Sequence, residues 1–158
     1  MSRPPRPSHL PLRDGVSASC VVVRPGDAPT ALDFLAARLA VLSRDEWAER
    51  LARGEVLDAQ GQPLNASTPC HPGQRIYYYR RLAAEPEPLV SEHIAFQDEW
   101  LVVADKPHFM PVTPSGRFVQ QSLLVRLKRR LGLADLSPVH RIDRETAGLV
   151  VFAVQTHT

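Results

Sequence analysis

Cysteine is nearly absent. The chain has two, Cys20 and Cys70, far apart and without CxxC spacing. That speaks against a disulfide framework and against a cysteine-held zinc, and it fits a reducing compartment, so a cytoplasmic location is expected. No apolar run approaches the roughly 18 residues of a membrane-spanning helix, so no membrane partner is expected. The N-terminal stretch carries Arg3, Arg6 and four prolines by position 11, and it lacks the apolar segment of a secretory signal. Lysine is scarce as well. Only Lys106 and Lys128 stand among 19 basic residues, and the remainder are arginine. A formal net charge of +2 does not by itself announce a polyanionic partner.

Hydrophobic content of 44% and charged content of 23% suit a globular core, in 158 residues enough for one domain or two small ones. The distribution of charge says more than its total. From Arg117 to Arg144 seven basic residues (Arg117, Arg126, Lys128, Arg129, Arg130, Arg141, Arg144) face two acids, Asp135 and Asp143. Such a patch attracts phosphate. Arginine, with its planar fork, is the better bidentate phosphate ligand and stacking partner.

Residues 1–19 are rich in Pro, Ser and Arg without periodicity and are expected to form a flexible arm. Cys20–Arg24 reads as a strand or an extended entry into the first helix, closed by Pro25-Gly26. Helical spacing follows over 31–41, with Leu32, Leu35, Leu39 and Leu42. Ser43-Arg44-Asp45-Glu46 is a capping box opening a helix over 44–53 that ends at Gly54. A short strand at 55–58, a turn at 59–63 and a strand at 74–82 complete the first segment. The last strand interleaves Tyr77, Tyr78 and Tyr79 with arginines, a pattern that suits either RNA or ordinary packing. Two Glu-Pro repeats at 85–88 continue neither helix nor strand, so 83–88 reads as a stiff linker and a domain boundary. Beyond it, 93–96 and 100–104 read as a hairpin. Ser122 is expected to cap a helix with Leu123, Leu124, Leu127 and Leu131 on one face, Arg126, Lys128, Arg129 and Arg130 on the other, and Gly132 as its stop.

One stretch concentrates chemistry. His140-Arg141-Ile142-Asp143-Arg144-Glu145 is followed by Thr146, Gly148 and the β-type run Leu149–Val154. Arg141 and Asp143, two apart, share a side in an extended segment. The pattern holds a carboxylate at a sheet edge beside cations that keep it ionised. It equally describes a salt-bridged loop before a core strand.

Two resemblances bear on that choice. Residues 24–82 resemble the S-four-type (alpha-L) RNA-binding domain. The match rests on Leu32-Asp33-Phe34-Leu35-Ala36, Leu42-Ser43-Arg44, Gly54-Glu55-Val56 and Pro72-Gly73-Gln74-Arg75-Ile76, with Gln74 in place of the family's acid. The resemblance implies an RNA face that includes Arg38, Arg44, Arg50 and Arg53. The second segment resembles the beginning of a pseudouridine synthase of the RluA family. Asp98–Pro107 is similar to its "D..L.VV.KP" motif, Pro111-Val112-Thr113-Pro114 to its "PVHP" continuation, and His140–Ala153 to "HRLDxxTSGLLLFA". Departures are Ile142 for Leu, Ala147 for Ser, and Phe109-Met110 where Gly and an apolar residue are usual.

The resemblance implies an α+β chain: a small α/β RNA-binding domain at 20–82, then the N-terminal part of a mainly antiparallel β-sheet catalytic domain at 89–158. It implies an RNA pseudouridine synthase acting on rRNA or tRNA, without cofactor or metal and as a monomer. Asp143 is the implied catalytic residue, a carboxylate that acts ionised. Arg141 is implied to fill the space left by the flipped nucleotide and to contact phosphate. His140 orients the loop, Thr146 braces it, and Arg144, Arg126, Arg129 and Arg130 are further candidate RNA contacts; Lys106 either contacts the RNA as well or only closes the fold, the structural role being the one expected first. The family's later strands carry a Tyr, a Lys or Arg and an "H.iR.H" segment that this sequence does not contain, so an incomplete, inactive chain is expected. The competing reading is a catalytically dead RNA-binding remnant. A metal-dependent hydrolase using His140 and Asp143 finds no second ligand cluster.

Overall fold

A computed structural model describes residues 10–82 and 84–155. The expected arm at 1–9, the linker's Ala83 and the last three residues of the expected catalytic segment lie outside the described residues. The chain divides into two compact units, one of residues 17–80 with 10–13, the other of residues 81–155 with 14–16.

In the first unit β1 (Ser19–Val22), β3 (Arg75–Tyr78) and β2 (Val56–Leu57) form an antiparallel sheet in the order β1-β3-β2. Helices α1 (Ala31–Arg38) and α2 (Arg44–Ala52) are the other elements of this unit. Thr30 caps α1 through its side chain, which accepts from the Asp33 N–H. This helix stops at Leu39, short of the expected Val41. The Leu39 carbonyl instead accepts from the Trp47 indole at 3.2 Å, which ties the turn to α2. Trp47, Phe34, Leu35, Leu51, Val56 and Ile76 make the core, with Tyr78 edge-on to Trp47 at 5.5 Å. Tyr77 and Tyr79 are buried in a second cluster, so the tyrosine strand is packing rather than an exposed stacking platform. Residues 10–18 are not the loose arm that their composition suggests. Leu10 is fully buried against Leu57, Tyr77 and Tyr79, and the Pro11 carbonyl accepts from the Tyr79 hydroxyl at 2.6 Å. A single well-placed leucine decided that, and no periodicity announces a single residue.

The capping box of α2 is complete: Ser43 Oγ accepts from the Glu46 N–H, and the Ser43 N–H donates to the Glu46 carboxylate at 2.7 Å. Hydrogen bonds from the Ser43 backbone and hydroxyl hold Glu46 below its ordinary pKa, and the Thr30 hydroxyl, then Arg44, does the same for Asp33. A carboxylate depressed in the folded state adds stability that is present above its unfolded pKa, about 4.3 for Glu, and is lost as pH falls through the lower folded value. Thermal melting should therefore show the first unit weakening below about pH 4.3, and Glu46→Gln should flatten that acid limb. An unchanged limb would remove Glu46 from the account.

The second unit is built on a four-stranded antiparallel sheet in the order β4-β5-β7-β6, with β4 His93–Gln97, β5 Leu101–Lys106, β6 Ser137–Pro138 and β7 Gly148–Ala153. The β4–β5 turn is fixed by Asp98, whose Oδ1 accepts from the Trp100 and Leu101 N–H groups. Val102, Ala104, Val150 and Phe152 alternate onto one face and bury against Leu123 and Leu127 of α3 (Leu123–Leu131), with Met110, Val112 and Leu136. Gly132, at φ +68, terminates α3 in the left-handed region that glycine adopts without strain.

Ser122 stands at the N-cap of α3, but its side chain makes no capping bond. Its hydroxyl donates to the Val119 carbonyl instead. The entry to the helix is held by Glu85, from the expected spacer, whose carboxylate accepts from the N–H groups of Val119, Gln120 and Gln121 at 2.7, 2.8 and 3.0 Å. A carboxylate across free amides near a helix start is favourable through both hydrogen bonding and the helix dipole. Glu85→Ala should cost about 1–2 kcal/mol of stability in urea titration. A loss under about 0.3 kcal/mol would show that water replaces the carboxylate.

Candidate active site

The 139–147 segment is the loop of a hairpin between β6 and β7. At its base the Val139 N–H donates to the Val151 carbonyl at 2.9 Å, and His140 Nε2 accepts from the Val151 N–H at 3.2 Å. His140 thus extends the sheet ladder by one side-chain bond. At the tip the Thr146 N–H donates to the Asp143 carbonyl at 3.1 Å and closes a turn. Gly148 opens β7 at φ +145, a conformation that L side chains rarely adopt.

From below, Lys106 anchors the loop. It is the last residue of β5, fully buried, and Nζ donates to the carbonyls of Met110 (2.7 Å), Pro107 (3.0 Å) and Arg144 (3.1 Å). Three protons meet three acceptors. Burial lowers the Lys106 pKa, opposed by the negative charge of Glu145. Of the two roles open to Lys106, RNA contact and closing the fold, the structure gives it the second, because the alternation of β5 points position 106 into the core. A neighbour that the sequence reading passed over, His108, donates from Nδ1 to the Glu145 carbonyl at 2.6 Å. The loop between Lys106 and Met110 turns through Phe109 at φ +66, where the family resemblance expects glycine.

Above this scaffold lies a groove of about 560 Å³ lined by Pro111, Val112, Thr113, Ser115 and the run Arg141, Ile142, Asp143 and Arg144. The two segments carrying the strongest resemblance thus meet across one cavity. Ile142 lines the groove too, so simple alternation does not sort the loop. Asp143 is exposed. The cations beside it do not pair with it: Arg144 Nε and Nη2 bind Glu145 Oε1 at 2.9 and 2.7 Å, and these bonds, with the charges of Arg144 and Lys106, lower the Glu145 pKa. The Arg144 guanidinium lies 5.8 Å from the centre of the Phe118 ring.

The other candidates are elsewhere. Arg126 is turned inward: Nε meets Glu92 at 2.7 Å, Nη1 meets Gln121 at 2.8 Å, and its side chain is 20% exposed beside a Glu92 side chain only 3% exposed. Lys128 is buried. The basic face of α3 is therefore partly an internal ion-pair face, and a buried Glu92 that spacing could not flag organises it. Arg129 is exposed and bonds Gln120, while Arg130 lies 3.9 Å from Glu92. In the first unit Arg38 is exposed, Arg44 pairs with Asp33 at 2.5 Å, and Arg50 donates to the Tyr79 carbonyl. Among the described residues no three His, Cys, Asp or Glu side chains gather as a metal site, and no helix is long and apolar enough to cross a membrane.

Comparison with known proteins includes a family match over the segment that forms this groove. Residues 100–158 match the family model described as RNA pseudouridylate synthase. An uncharacterised RNA pseudouridine synthase of Synechocystis sp. is 33% identical over 125 residues, covering 79% of this chain and 43% of the relative. A human pseudouridylate synthase is 40% identical over 72 residues, or 46% of this chain and 12% of the relative. The tRNA pseudouridine(31) synthase of Saccharomyces cerevisiae is 38% identical over 68 residues, covering 43% and 16%. The chain spans less than half the length of these relatives.

Proposed function

We propose that this chain carries part of the active site of an RNA pseudouridine synthase, with Asp143 as its catalytic carboxylate. The observation that carries the reading is the groove in which Asp143 and Arg141 face Pro111–Thr113 within the segment matched by the family model. The reaction is an isomerisation. The bond from N1 of uracil to C1′ of the ribose breaks, the base turns, a bond from C5 to C1′ forms, the C5 proton is released, and N1 takes up a proton. It needs one ionised carboxylate acting as nucleophile or base, and a target base taken out of its stack. An exposed Asp143 without an ion-pair partner among the described residues is available for that role. Arg141, two residues away on the same groove, is suited to occupy the gap left by the displaced base.

The first unit is proposed as an RNA-binding domain of the S-four type. The helix pair joined at Leu42-Ser43-Arg44 and the strand after Pro72-Gly73 support that assignment. Exposed Arg38 and Arg53 are its candidate phosphate contacts. The substrate is proposed to be a tRNA or rRNA, and the name of the yeast relative, a tRNA pseudouridine(31) synthase, favours tRNA. The test is release of tritium from RNA labelled at C5 of uridine, using protein expressed from the whole gene. Release with formation of pseudouridine is expected. RNA binding without any release would instead favour an RNA-binding remnant.

A further inference from the structure

Beside the groove stands a turn that the proposed reaction leaves unused. Ser115 and Phe118 exchange both backbone hydrogen bonds, at 2.8 and 2.9 Å, around Gly116 and Arg117. Gly116 sits at φ +51 in the first central position, so this is a tight hairpin turn with little freedom. Ser115 belongs to the groove wall, which puts the turn at its rim. On the far side the chain is pinned immediately, since Glu85 holds the amides of Val119, Gln120 and Gln121. Phe118 is therefore fixed from both sides. Two guanidiniums lie near its ring, Arg117 at 5.7 Å and Arg144 at 5.8 Å from the ring centre. Glu145 further restrains Arg144.

We propose that Arg117, Phe118 and Arg144 form a clamp for a backbone phosphate flanking the uridine presented to Asp143. Phe118 is the positioning residue, and Arg117 the contact that no acid among the described residues pairs with. The inference rests on the function proposed above. A guanidinium held over an aromatic ring loses less conformational freedom on binding than a free one, and its fork matches phosphate oxygens. The charge balance agrees: Arg141 and Arg144 line the groove with Asp143, and Arg117 and Glu145 lie on its two flanking loops, so one cation is left over for the polyanion.

The test measures binding of a short fluorescent single-stranded oligouridylate to the whole-gene protein across a salt series. Arg117→Gln is expected to weaken binding about fivefold at low salt and to make the slope of log affinity against log salt shallower by about 0.7, the value for one lost phosphate contact on a single strand. Phe118→Leu should give the same shift, and Phe118→Tyr should restore the wild-type slope. A wild-type slope in Arg117→Gln overturns the clamp. A lowered slope in Arg117→Gln with a wild-type slope in Phe118→Leu overturns the positioning role. Because binding is read separately from tritium release, failure of the clamp and failure of the synthase reading give different results.

Discussion

Asp143→Asn should reduce conversion of uridine by about 10⁴-fold or more, the scale seen when a nucleophile is removed, while RNA affinity stays within about twofold. The substitution is nearly isosteric, and the fold gives no reason for it to disturb the loop. The Asp143 side chain is exposed, and its structural contribution is the main-chain carbonyl that accepts from the Thr146 N–H. That bond survives the change. What disappears is the ionised oxygen that an isomerisation through a carboxylate requires. The measurements are tritium release for conversion and anisotropy for binding. Conversion retained within tenfold would dismiss Asp143 as the reacting group. Loss of binding together with conversion would show that the residue recognises RNA rather than acting on it.

Lys106→Met should cost about 2–3 kcal/mol in chemical denaturation, the upper range for leaving buried acceptors without their donor. Methionine keeps most of the volume and leaves the carbonyls of Pro107, Met110 and Arg144 without their donor. Lys106→Arg should not rescue the loss, since a planar fork in a fully buried site cannot reproduce three bonds from one nitrogen. The consequence reaches the proposed chemistry. The Arg144 carbonyl lies one residue beyond Asp143, so freeing it loosens the segment that lines the groove. In conditions where the variant remains folded, conversion should fall further than RNA affinity, the mark of a positioning residue. Melting like wild type would refute the anchor, and conversion like wild type in a destabilised variant would confine Lys106 to stability.

Much of this was legible in the order of residues, because the determinants are local. A capping box needs only Ser43 and Glu46 three apart, and the structure forms it completely. The leucine stripe of α3, its glycine stop and the β4–β5 hairpin depend on period and on turn chemistry within a few residues. The motif around Asp143 was equally visible, since it is continuous in the chain.

Interactions between distant residues were not legible. Glu85 looked like part of a spacer, and it holds the entry to α3 because amides 34 to 36 residues away converge on it. Ser122 had the chemistry of a cap and bonded the Val119 carbonyl instead, while the Leu123 and Leu124 N–H groups go to the distant carbonyls of Pro111 and Val112. Lys106 could have been a phosphate ligand and Arg126 looked like one, as any cation can before burial is known. One is enclosed by carbonyls and the other by Glu92. Residue type and local spacing set the elements and the groups available for chemistry. Tertiary packing decided which cations keep water and which are spent inside the fold, because desolvation, which alone separates the two roles, depends on neighbours far along the chain.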